Sequence, residues 1–78
     1  MVKIEFYAVL KDYFSSSILI EKKGDSIKEL FDFLLTKYPE SQSVLSSVRV
    51  AVNNQFVTMD YKLKENDVVA LLPPSSGG

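Results

Sequence analysis

Apolar and polar residues alternate with a period of two at the start of the chain. In VKIEFYAVL, Val2, Ile4, Phe6 and Ala8 fall on one side and Lys3, Glu5 and Tyr7 on the other. This predicts a half-buried strand, because successive side chains of an extended backbone point to opposite faces. Lys11, Asp12, Tyr13 and Phe14 interrupt the alternation as a turn, and Ile18, Leu19 and Ile20 supply a second short strand that KKGD closes. The period then changes. Ser26 stands three residues before Glu29, the spacing with which a helix start caps itself reciprocally. Ile27, Leu30, Phe31, Leu34 and Tyr38 follow at helical spacing, and Pro39 ends the element at or before Tyr38. ESQSVLSS reads as a polar loop with one short turn around Val44 and Leu45.

From Val48 the two-residue period returns, with Val48, Val50 and Val52 on one face and Arg49 and Ala51 on the other. Asn53-Asn54 predicts a hairpin turn, since Asn tolerates positive φ, and Gln55, Phe56 and Val57 return as a brief strand. A turn at Glu65, Asn66 and Asp67 precedes a last strand from Val68 to Leu72. One helix among several strands must bury its stripe against one face of a mixed sheet. The predicted fold class is therefore α+β, a β-grasp, over residues 1–72, followed by a tail over 73–78. Because VVALL is continuously apolar, one parity faces away from the helix: Val69 and Leu71, or Val68, Ala70 and Leu72. Phe56, Val69 and Leu71 are the candidate partner contacts, with Tyr7 and Val9 beside them.

Composition narrows the chemistry. The 78 residues make one domain, 46% hydrophobic and 24% charged, the balance of a folded chain. A domain of this size buries only about 60% of the surface its unfolded form exposes, so the core must be economical. There is no cysteine to staple it. With no histidine either, the chain lacks the commonest general base, the usual thiol nucleophile and the softer metal ligands, and no metal site is expected. A net charge of -1 argues against nucleic acid as partner, which calls for a basic stripe. No apolar run approaches the roughly 20 residues of a membrane span, and a cytoplasmic location is expected.

The chemical handle lies in LLPPSSGG. Leu71 and Leu72 anchor the segment, while Pro73 and Pro74 stop the strand and favour an extended course. Ser75 and Ser76 add polar length. Gly77 and Gly78 carry no Cβ, so another backbone can close around them and lead the carboxylate into a narrow channel. Six residues beyond Leu72, at about 3.3 Å each, reach roughly 20 Å. A carboxylate is a poor electrophile, but activated as an acyl-adenylate it can be captured by a nucleophile.

The chain resembles the MoaD family, the small subunits of molybdopterin synthase, among the ubiquitin-like sulfur carriers. The residues that carry the resemblance are KIEFYAVLKDYF, IKELFDFLLTKYP, VAVNNQFV and, above all, LKENDVVALLPPSSGG. Lys11-Asp12 stand where the family usually has Arg-Glu, and Asn66 where it usually has Gly before Asp67. The resemblance implies a cycle with two protein partners and a sulfur donor. An E1-like, MoeB-like enzyme would use ATP to adenylate Gly78, and the sulfur donor would convert it to a thiocarboxylate. The tail, Pro73 to Gly77, would then carry it into a MoaE-like large subunit of a heterotetrameric synthase. There, two sulfur transfers to cyclic pyranopterin monophosphate build the dithiolene of molybdopterin. On this view the chain binds no cofactor and is not catalytic alone. The alternatives are a ThiS-like carrier for thiazole biosynthesis, whose family usually lacks Pro-Pro before the glycines, and a ubiquitin-like protein modifier.

Overall fold

A computed structural model describes residues 1–7, 10–11 and 14–73. The helix start is built as its spacing predicts: Glu29 N–H donates to Ser26 Oγ at 3.1 Å, and Ser26 N–H donates to the Glu29 carboxylate at 2.8 Å. These bonds satisfy two donors that a helix N-terminus leaves unpaired. Helix α1 runs over Ile27–Lys37 and ends where Tyr38, at φ -132°, leaves the helical region ahead of Pro39. A 3-10 turn (Pro39–Ser41) and the single-turn helix α2 (Gln42–Leu45) follow.

The strands are β1 (Val2–Phe6), β2 (Ser17–Ile20), β3 (Arg49–Val52), β4 (Gln55–Phe56) and β5 (Val68–Leu72). They form one sheet in the order β2-β1-β5-β3-β4. β5 lies in the middle, parallel to β1 and antiparallel to β3. Asn53 and Asn54 take φ of 50° and 71° in the β3–β4 turn, and Asn66 takes φ 69° before β5. Left-handed conformations of this kind suit Asn better than most residues with a Cβ.

α1 covers one face of the sheet. Ile27, Leu30, Phe31 and Leu34 share a single buried cluster with Val2, Ile4, Phe6, Val50, Val52, Val69 and Leu71. Two contributions to that cluster come from segments the periodicity left as turns. Phe14 stacks on Phe6 with ring centroids 4.3 Å apart and takes Tyr38 edge-on at 4.7 Å. Leu45 is buried by the short helix, and beside it the buried Ser41 hydroxyl donates to the Tyr38 carbonyl at 2.6 Å. Ala8 and Val9 lie outside the described residues. Among the described residues no helix is long and apolar enough to cross a membrane.

Candidate docking face and tail root

The register fixes which side chains the helix leaves uncovered. Ser17, Glu5, Ala70, Ala51 and Phe56 sit side by side across all five strands. Leu19, Lys3 and Val68 form the adjacent row, and Leu72 lies opposite Arg49 on the other side. Val68, Ala70 and Leu72 are half-buried, and Phe56 keeps 60% of its surface exposed. This helix-free face is therefore apolar along β5 and charged toward its rim, where Lys3 Nζ approaches Glu5 at 3.4 Å. The Tyr7 hydroxyl donates to Glu5 at 2.8 Å. A shallow groove of about 280 Å³, lined by Glu5, Tyr7, Asn53, Asn54, Val68 and Ala70, runs over it.

Two of the expected partner contacts are corrected. Val69 and Leu71 are 0% exposed. Val69 is level with Ile4 and Val52, and Leu71 with Phe6 and Val50, so both point into the core under α1. The parity that faces outward is Val68, Ala70 and Leu72. Phe56 does lie on the outer face, where the Arg49 guanidinium sits 4.0 Å above its ring centroid, a stacking that the alternation pattern gave no sign of. Pro73 follows Leu72 directly at the end of the central strand, so the tail is rooted at the edge of this face. Pro74, Ser75, Ser76, Gly77 and Gly78 lie outside the described residues.

A buried carboxylate fastens the turn that leads into β5. Asp67, 5% exposed, accepts from the Lys64 N–H at 2.9 Å, from Asn53 Nδ2 at 2.9 Å and from the Tyr61 hydroxyl at 3.0 Å. Asn53 Oδ1 in turn accepts from the Val68 N–H at 3.0 Å. Burial alone pushes the Asp67 carboxyl up, but the three donors outweigh it and hold it below its ordinary value of 3.8. Burial and the bond to Asp67 push the Tyr61 phenol up. Asp67 thereby ties the turn before β5 to the β3–β4 hairpin. Glu65 pairs with the N-terminal ammonium of Met1, and the Asn66 N–H donates to the Met1 carbonyl.

Because the folded state lowers its pKa, Asp67 contributes stability that is fully present above about pH 4 and is lost as pH falls through the folded value. Glu29, held low by its bond from the Ser26 N–H, and Glu65, held low by the N-terminus, act in the same direction. Asp67→Asn should therefore lower the urea midpoint at pH 7 and flatten its fall below about pH 4. An unchanged acid slope would remove Asp67 from this role.

The face offers area and shape. Among the described residues no group of three or more acidic side chains is placed to hold a metal ion, and no buried side-chain polar atom lacks a partner.

Known proteins match this arrangement. The ThiS family model matches residues 4–78. A molybdopterin synthase sulfur carrier subunit from Arabidopsis thaliana is 33% identical over 55 residues, which cover 70% of this chain and 57% of that relative. The relative thus extends well beyond the shared part. A chain in the protein–protein complex of subunits 1 and 2 of molybdopterin-converting factor from Helicobacter pylori 26695 superposes with a TM-score of 0.73 at 26% identity, covering 99% of this chain and 97% of that one. Small archaeal modifier protein 1 from Methanosarcina acetivorans shares the fold, with a TM-score of 0.80 at 22% identity over 99% of this chain and 95% of that one. The fold is a ubiquitin-like β-grasp, and the chain belongs to the ThiS family as a MoaD-like member.

Proposed function

We propose that this chain is the sulfur carrier of a molybdopterin synthase, working in the cytosol with two protein partners. An E1-like enzyme attaches AMP from ATP to the Gly78 carboxylate, releasing pyrophosphate. A sulfide equivalent from a sulfur donor then displaces AMP and leaves a thiocarboxylate. The large synthase subunit receives the loaded tail, and the sulfur passes to cyclic pyranopterin monophosphate while the Gly78 carboxylate is regenerated. The chain itself holds no cofactor; ATP is consumed by the activating partner. Its own residues supply a docking face, a fixed exit direction and a narrow terminus.

The observation that carries this reading is the continuity of the central strand with both parts of that task. β5 contributes the outward Val68, Ala70 and Leu72 and runs straight into Pro73. A partner seated on the face is thereby set beside the root of the tail. The family match running to residue 78, through the Pro-Pro and Gly-Gly pairs, supports the same reading. The likeness to a small archaeal modifier protein keeps open a second reading, in which Gly78 ends in an isopeptide bond to lysine.

The deciding experiment supplies the loaded chain to the large subunit of molybdopterin synthase with cyclic pyranopterin monophosphate, and separately to a thiazole synthase. Molybdopterin should form in the first mixture and thiazole should not form in the second. The reverse outcome would move the chain to thiazole biosynthesis, and lysine conjugates in cell extract would make it a modifier.

A further inference from the structure

Arg49 is the one residue on the Leu72 side of the docking face whose charge goes unanswered among the described residues. Lys3 and Glu5 neutralise each other at 3.4 Å on the β1 side, whereas no carboxylate of the described residues lies within ion-pair distance of Arg49. Its exposed guanidinium lies over Phe56 at 4.0 Å, and Arg49 is level with Leu72, the residue from which the tail departs. Stacking fixes the plane of a guanidinium while leaving its N–H donors at the edge free. Among the described residues no side chain accepts from them.

A partner that covers Val68, Ala70 and Leu72 also removes water from this cation. Left unpaired, a desolvated charge opposes binding, so the covering surface must answer it. A carboxylate fits best, because its two oxygens match the guanidinium fork. Phosphate of nucleic acid is a poorer match for a chain of net charge -1 with Glu5 on the same face.

We propose that Arg49, held over the Phe56 ring, is the specificity-determining anchor of the docking face, and that the protein receiving the tail presents a carboxylate at the mouth of its channel within an otherwise apolar surface. This rests on the sulfur-carrier reading for the identity of the partner. It goes beyond that reading in stating what the partner's surface must carry and where.

The test is calorimetric titration of the full chain into the large synthase subunit at low and high salt. Arg49→Gln should weaken binding about 30-fold and abolish most of its salt dependence, and Arg49→Glu should weaken it more than about 100-fold. Arg49→Lys should restore the salt dependence while binding more weakly than the native chain, having lost the fork. Because Arg49 is exposed, all three should melt within a few degrees of the native chain. Native binding with Arg49→Gln and Arg49→Glu both within threefold of it would overturn the anchor and leave the carrier reading standing. Failure of the native chain itself to bind would overturn both.

Discussion

A chain shortened by Gly78 alone is expected to fold as the full chain does and to lose sulfur transfer almost entirely. Gly78 has no side chain to pack, so the urea midpoint should not move. The reacting carboxylate, however, retreats by one residue, about 3.3 Å. Misplacement by even about 1 Å in a positioned reaction costs on the order of 100-fold, so the rate of molybdopterin formation should fall by at least that factor. A shortened chain that works within tenfold of the native rate would show that the terminus is not the site of chemistry.

The second large effect separates folding from docking at adjacent positions of one strand. Leu71 is 0% exposed, level with Phe6 and Val50 in the core, while Leu72 is half-buried on the opposite face. Leu71→Ala removes most of a fully packed side chain and leaves a cavity, at a cost of about 2–5 kcal/mol. In a domain of this size, stabilities of about 5–15 kcal/mol set the scale, so the loss is a large share of the total. The melting temperature should drop on the order of 15 °C. Leu72→Ala should cost under about 1 kcal/mol of stability, because its surface is only partly withdrawn from water. Its effect should fall on partner binding instead. If the two variants lost equal stability, the inward and outward parities of β5 would be wrong.

The architecture was legible where a repeating pattern met a strong local signal. Alternation over Val2–Phe6, the Ser26–Glu29 cap and the Asn53-Asn54 turn each report a backbone state through chemistry within four residues. The inward parity of VVALL was not legible. All five residues are apolar, and the choice is made by register against Ile4, Phe6, Val50 and Val52, which are distant in sequence. The same limit hid Asp67. Its partners Asn53 and Tyr61 are 14 and 6 residues away, and a charged turn residue ordinarily faces water. Phe14 was hidden differently: a single aromatic after a break in periodicity gives no sign of its face, although it completes an aromatic stack with Phe6 and Tyr38. Arg49 and Phe56 lie on opposite sides of a two-residue turn, and only the β3–β4 pairing brings them together.

The carrier account makes its central claim about one atom. The direct measurement is the intact mass of the chain produced together with its own activating enzyme and sulfur source, followed by fragmentation to locate any change. The account predicts one oxygen replaced by one sulfur at the Gly78 carboxylate, lost again on mixing with the large subunit and its pterin substrate. A chain that stays a plain carboxylate under those conditions, with the activating enzyme shown to be active, would contradict it.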